Sequence, residues 1–331
     1  MNIHQPNPLA PRGGSETPER VFWSRRRWLQ LAGLGAVGAA AGLGYRQWNS
    51  FSSGDDDAVL AAGRWSPEAE RKYAGYYSAD RDRRFEYGRE ETSPAEAARF
   101  TNFYEFSRFK WCWKYVGSFQ PDPWTITIDG LCRTPLKLDL EQFYRQFRDD
   151  LVERQYRHRC VEKWAMAVPW TGLPLAVVLK AADPLVQATH VRFVSFHRPT
   201  NAPQQASGSE FPWPYNEGLT IAEATSELTL LAIGVYGRPL LKQHGAPIRL
   251  VVPWKYGYKS IKSVERIELV GRQPATFWNT LNPRAYPFES NVDPAVGRPW
   301  DQSFERMLGS GEEVRTMKYN GYEQWVAGLY R

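Results

Sequence analysis

The sequence predicts a mixed, β-rich α+β fold, and three observations carry that expectation. Short β-rich runs recur at Trp124–Gly130, His190–Phe196, Leu228–Gly237, Ile248–Trp254 and Val264–Val270. Two helical patterns, DLEQFYRQF and PLAVVLKAAD, fall between them. The two kinds of element do not alternate in a strict βαβ rhythm, and neither G-x-G-x-x-G nor G-x-x-x-x-G-K-[ST] occurs, which disfavours a nucleotide-binding parallel sheet. With 331 residues, 42% hydrophobic and 14% aromatic, the chain has ample material for a core.

Taken in order, residues 1–44 read as an export signal. Paired arginines precede a Gly/Ala-rich apolar run from Leu29 to Leu43, too short and too weakly hydrophobic for a span of roughly 20 residues. Ala39, Ala40 and Ala41 suit a cleavage site near 41–44. Ser24-Arg25-Arg26-Arg27-Trp28-Leu29 is similar to the twin-arginine consensus, with Trp28 where Phe is usual, so the expected location is the periplasm and the expected export partner the twin-arginine machinery. Such export carries folded proteins, often already loaded with a cofactor.

Residues 45–99 are polar and charged, as in SSGDDD and SADRDRR, and read as an extended arm or surface wrap. SPAEAA then starts a helix, with Ser93 as N-cap, Pro94 at the first helical position and Glu96 closing a capping box. The compact domain is expected over 100–331. Within it WTITIDG alternates with period two and ends in Asp-Gly, a strand entering a turn.

Charge and cysteine usage exclude several classes. The net charge of +6 includes five arginines against two glutamates in residues 1–44, leaving 37 basic against 34 acidic residues, so nucleic acid is not an expected partner. Cys112, Cys132 and Cys160 show no CxxC, CxxCH or zinc spacing.

A lone cysteine is most often a small buried hydrophobe, and Cys112 and Cys132 keep that reading. Cys160, in YRHRCVEKWAMAVPW, has Arg157 and Arg159 beside it, and positive charge favours the thiolate that binds soft metals. No histidine sits in a protease-like motif with it. In QHGAPIRLVVPWKYGYKSIKS, turns at Gly245, Pro247 and Gly257 accompany the cations Arg249, Lys255, Lys259 and Lys262. That combination suits either a phosphate grip or a solvated basic loop.

YRHRCVEKWAMAVPWTGLPL, TNFYEF, DPWTITIDG, PYNEGL and GVYGRPLLKQHGAPIRLVVPWKYGYKSIKS together resemble the bacterial protein-methionine-sulfoxide reductase catalytic subunits, periplasmic molybdoenzymes of the sulfite-oxidase superfamily. The resemblance runs from about Phe100 to the last residues and includes the export signal. It implies a sulfite-oxidase-type molybdopterin-binding domain holding molybdenum on one pterin without a nucleotide. It makes Cys160 the molybdenum ligand, and Glu162, two residues further on, is the carboxylate expected nearest the metal, with protons coming from water or from a neighbour such as Glu162. It places Asn102, Tyr104, Glu105, Ser195, His244, Arg249, Ser260, Ile261 and Lys262 on the pterin. Ser195 corresponds to a hydroxyl on a strand after a cysteine-bearing helix, Thr101 stands where a second Asn is common, and His244 replaces an Asn.

Reduction of a sulfoxide needs an electron pair that side chains do not hold. No haem, flavin or iron–sulfur motif occurs, so an external donor is required. The resemblance implies a haem-binding membrane subunit fed by quinone, with oxidised periplasmic proteins as substrate. Trp164, Trp170, Trp213 and Trp254 are aromatic candidates for packing the thioether, with core packing as the alternative. Two other readings stay open: a sulfite-oxidising member of the superfamily, and a metal-free periplasmic binding module. Against the first, Cys160 is followed by Val161-Glu162-Lys163-Trp164, and a carboxylate suits sulfite poorly.

Overall fold

The computed structural model describes residues 56–86, 89–207, 210–296 and 301–330. The expected export signal and the start of the polar arm lie outside the described residues. In chain order the strands are β1 Thr125–Gly130, β2 Leu136–Asp139, β3 Val152–Arg159, β4 Trp164–Pro174, β5 His190–Ser195, β6 Asn216–Thr220, β7 Leu230–Val235, β8 Arg238–Pro239, β9 Arg249–Val251, β10 Val264–Val270, β11 Phe304–Met307 and β12 Glu313–Arg315.

Among the described residues they form two sheets. A five-stranded sheet runs β2-β1-β10-β5-β6, with β1 and β10 parallel and its other neighbours antiparallel. A seven-stranded sheet runs β12-β11-β4-β7-β8, with β3 on β4 and β9 on β7. The fold is therefore mixed α+β, as expected. Strand β1 alternates as its sequence does, burying Ile126 and Ile128 and leaving the threonines on the other face.

Strand β4 is the centre of the larger sheet. β3 follows one of its edges, while β11 and then β7 share the other. Ten of its eleven residues are buried, which explains a run of apolar residues without alternation. At Gly172 the register with β7 shifts, and a Cβ there would lie 2.4 Å from the Leu231 carbonyl oxygen, so only glycine fits.

Helix Leu140–Gln146 is started by a closed capping box, with Asp139 Oδ1 accepting from Gln142 N at 2.8 Å and Gln142 Oε1 accepting from Asp139 N at 2.9 Å. Helix Leu175–Ala182 buries Leu175, Val178, Leu179 and Ala182, one face at 3.6-residue spacing. The Ser93 cap forms, with Oγ accepting from Glu96 N at 3.3 Å, but the Glu96 carboxylate turns to Arg99 and the box stays half closed.

The stretch expected as a polar arm is more ordered than its composition suggests. From Asp56 it carries helices Asp56–Ala62, Pro67–Tyr73 and Pro94–Arg99. Most of its charges face water, with Arg89 reaching the buried Glu305 at 2.7 Å, while Val59, Trp65, Tyr73, Tyr77 and Phe85 are buried. Trp65 Nε1 donates to the Leu240 carbonyl at 2.7 Å, and Thr171 Oγ1 donates to that of Tyr77 at 3.1 Å. Each buried aromatic of this kind contributes about 1.5–3 kcal/mol, so sparse apolar anchors suffice to hold a polar segment.

Candidate functional site

Cys160 sits in a tight hairpin, not beside a helix as expected. Its amide donates to the Trp164 carbonyl at 2.9 Å, Lys163 N donates back to the Cys160 carbonyl at 3.0 Å, and Lys163 takes the left-handed conformation, φ 74°. Period-two alternation on β3 then sorts its neighbours. His158 and Cys160 face a cavity that opens to solvent. Arg157 and Arg159 face the other way. Arg159 Nε lies 3.0 Å from Glu305, and Arg157 Nη1 donates to the Asn320 carbonyl at 3.3 Å.

The arginines therefore do not create a thiolate, contrary to the expectation from the sequence. Burial, followed by the Glu162 charge, pushes the Cys160 thiol up to about 12, against the weaker pull of Lys110, the Glu162 amide and Arg159. A bound cation is what removes such a proton, because a coordinated thiol ionises outright.

Glu162 stands at the mouth. Burial acts to raise its pKa, but the Lys110 ammonium at 2.6 Å, Asn102 Nδ2 at 3.1 Å and Trp164 Nε1 at 3.3 Å outweigh it and hold the carboxyl below its ordinary range. An ionised carboxylate at neutral pH is a poor proton donor, and this one lies 3.9 Å from Cys160 Sγ. Asn102 Nδ2 spans the two, 3.5 Å from the sulfur.

The segment Thr101–Ser107 forms the next wall. Thr101 N donates to the Lys110 carbonyl at 3.0 Å, bringing Lys110 to Glu162 across 52 residues of sequence. Tyr104 packs edge-on to Trp278 at 4.9 Å. Glu105 is buried, and burial pushes it up to about 7 despite Lys262 and the Ser195 hydroxyl. Lys262 Nζ donates to Thr101 Oγ1 at 2.8 Å and to the Asn102 carbonyl, and burial together with Arg249 pushes it down to about 7.

Beneath these lies the segment from His244 to Lys262. Arg249 Nη1 donates to the His244 carbonyl and Nη2 to that of Ser260, both at 3.0 Å, and the guanidinium covers the Trp170 ring. Burial pushes Arg249 down to about 9. His244 is neutral, pushed down to about 3 by burial, and neither ring nitrogen meets a partner of good geometry. Ser260 Oγ accepts from Val252 N at 3.0 Å, and both Ser260 and Ile261 border the cavity. Gly257 is needed here because a Cβ would lie 2.5 Å from His158 Nε2.

Of the residues assigned by resemblance, Asn102, Tyr104, Glu105, Cys160, Glu162, His244, Arg249, Ser260, Ile261 and Lys262 all border this cavity. Ser195 does not. Its hydroxyl donates to the carbonyls of Lys262 at 2.9 Å and Ser263 at 3.2 Å, bracing the loop from behind. Two cations read as candidate phosphate donors are also internal: Lys255 pairs with Glu223, and Lys259 pairs with Glu217 at 2.8 Å. Trp164 lines the cavity, whereas Trp170 and Trp254 belong to the core and Trp213 packs on Phe277. His158, Trp278 and Tyr286 were missed. The alternation HRC in β3 carried the signal for His158.

The donor set suits a soft metal on an anionic cofactor. Arg249 and Lys262 are buried or half-buried cations with no carboxylate paired to them among the described residues, which is unfavourable until an anion such as a phosphate arrives. Among those residues no group of three or more His, Cys, Asp or Glu is placed to hold a metal ion.

The family described as oxidoreductase molybdopterin binding domain matches residues 114–278. Match and site together define a molybdopterin-binding oxidoreductase, with a molybdenum–pterin cofactor. A curated protein-methionine-sulfoxide reductase catalytic subunit, MsrP, of Gluconobacter oxydans is 42% identical, covering 95% of this chain and 93% of its own. That of Burkholderia mallei is 40% identical, covering 95% and 91%. The chain belongs to the family of protein-methionine-sulfoxide reductase catalytic subunits. Among solved structures, the sulfane dehydrogenase SoxCD of Paracoccus pantotrophus aligns with 60% of this chain and 46% of its own, at 15% identity and a TM-score of 0.39.

Proposed function

We propose that this protein reduces methionine sulfoxide residues of periplasmic proteins to methionine. The carrying observation is the convergence of a single thiol, Cys160, with two cations that make no salt bridge among the described residues, Arg249 and Lys262, on one open cavity. When bound, the molybdenum–pterin group supplies the two-electron chemistry and a position for the sulfoxide oxygen. Overall, sulfoxide, two electrons and two protons give thioether and water.

Cys160 Sγ holds the metal, and Arg249 and Lys262 pair with the phosphate of one pterin that carries no nucleotide. Asn102 orients the thiolate against Glu162 through its two contacts. The ionised Glu162 repels anionic substrates such as sulfite and favours a neutral sulfoxide. Tyr104, Trp278 and Tyr286 form an apolar wall suited to a thioether. Because Glu162 is held ionised, protons reach the site from water. Electrons come from a haem-binding membrane subunit fed by quinone, and the signal over residues 1–44 routes the folded protein through the twin-arginine machinery.

The test is a reductase assay with a viologen dye as donor, run beside sulfite oxidation with a suitable acceptor. We expect turnover of peptide methionine sulfoxide and none of sulfite. Sulfite turnover without sulfoxide reduction would sink the proposal.

A further inference from the structure

The site is built from two pieces far apart in sequence. One is the β3 hairpin carrying Cys160, and the other is the segment from Pro253 to Lys262 that carries the cofactor loop. The residues Lys318–Tyr330 touch both. Asn320, 2% exposed, takes the left-handed conformation, φ 53°, and its Nδ2 donates to the Arg157 carbonyl at 3.3 Å and the Pro253 carbonyl at 2.9 Å. One carboxamide thus joins the thiol strand to the entry of the cofactor loop.

The neighbouring contacts reinforce that bridge. Tyr322 Oη accepts from Arg157 N at 3.0 Å, and Arg157 Nη1 returns a bond to the Asn320 carbonyl. On the loop side, Lys255 Nζ donates to Asn291 Oδ1 at 2.8 Å and Tyr330 Oη at 3.0 Å, and Tyr330 Oη donates to Glu223 at 2.6 Å. Trp254 Nε1 also donates to Tyr330 Oη, at 2.8 Å, and the Tyr319 and Tyr330 rings stack at 5.5 Å. None of these side chains borders the cavity.

We propose that segment 318–330 is a clasp that sets the spacing between the Cys160 hairpin and the cofactor loop, with Asn320 as its principal positioning residue. Arg157 carries the constraint because it lies on β3 three residues before Cys160, in the strand that leads into its hairpin. Pro253 carries it because the backbone runs on through Lys255 and Gly257, which packs on His158, to Ser260 and Lys262. The clasp works on cofactor retention and metal geometry without touching either. This inference rests on the proposed cofactor site.

The experiment compares purified holoenzyme of the wild type, N320G and Y330F. N320G keeps the left-handed backbone and deletes the bridge. Y330F removes only the hydroxyl. Three readouts are taken: the rate of molybdenum loss in dilute buffer, the Mo(V) paramagnetic resonance spectrum, and the melting temperature of loaded and cofactor-stripped protein.

We expect N320G to lose molybdenum at least tenfold faster and to show a shifted Mo(V) spectrum, with Y330F about threefold faster. The gap between loaded and stripped melting temperatures should narrow in both. Equal lowering of both melting temperatures, with wild-type retention and spectrum, would make the segment merely structural and overturn the proposal. If N320G does not fold, Y330F decides alone on the same readouts. A wild-type protein that never holds molybdenum would instead overturn the cofactor site itself.

Discussion

Two pairs of cations in one short stretch of chain behave in opposite ways. Lys255 and Lys259 are fully buried and matched inside the protein, to Glu223 and Glu217. Arg249 and Lys262 border the same cavity and, among the described residues, direct their hydrogen bonds to backbone carbonyls and the Thr101 hydroxyl, with aromatic rings beneath them. The first pair anchors the loop, and the second leaves positive charge for a ligand. Proximity in sequence and equal charge do not separate these roles; the presence or absence of a buried carboxylate partner does.

The largest effect should come from breaking the matched pair. K259M leaves Glu217 buried without its partner, so the urea midpoint should fall by an amount equivalent to about 3–5 kcal/mol. K262M removes a cation that burial disfavours and that makes no salt bridge among the described residues, so stripped-protein stability at neutral pH should rise rather than fall. Its loss should appear in loading, with molybdenum per chain reduced about tenfold or more, the equivalent of a charge-assisted bond of about 1.5–3 kcal/mol. Elemental analysis beside urea titration separates the two, and the comparison breaks if both variants move the same quantity.

E162Q tests the charge at the mouth. Glu162 is held below the ordinary carboxylate range, so between about pH 5 and 8 it carries no titration limb of its own. The variant should keep its molybdenum, lose about fivefold in rate, roughly 1 kcal/mol, and keep the shape of its pH profile. Loss of one limb of that profile would return Glu162 to the role of proton donor.

The smallest effect concerns Glu105. Its carboxyl is raised from 4.5 to about 7, mainly by burial, so between those values the folded, cofactor-free protein binds more protons than the unfolded chain. Its contribution is fully present below pH 4.5 and is lost as pH rises to 7. Lys262 acts on the other side: lowered from 10.5 to about 7, it makes stability rise with pH between 7 and 10.5. E105Q should flatten the lower window and leave the upper one, in urea midpoints of stripped protein measured against pH.

Much of this was legible in the residues. WTITIDG, VERIELV, DLEQFYRQF and PLAVVLKAAD announced their elements through periodicity and caps, and the long motifs brought ten of the eleven assigned site residues to one cavity. Strand β3 was not legible, because VERQYRHR buries arginines whose partners are remote: Arg159 meets Glu305, and Arg154 lies over Phe85 at 4.7 Å. The same remoteness hid the Lys110–Glu162 pair and the capture of Lys255 and Lys259. Local charge beside Cys160 misled for a simple reason: in a strand, adjacent residues point to opposite faces.

The central claim is that Arg249 and Lys262, which make no salt bridge among the described residues, mark the seat of the cofactor's anion on the cavity that holds the Cys160 thiol. The most direct measurement is molybdenum and organic phosphate per folded chain in the wild type, C160A, K262M and K259M, purified from a molybdenum-replete host. The account predicts stoichiometric loading of both in the wild type and in folded K259M, loss of both in K262M, and loss of molybdenum in C160A. Wild-type loading in folded K262M, or loss confined to K259M, would contradict it.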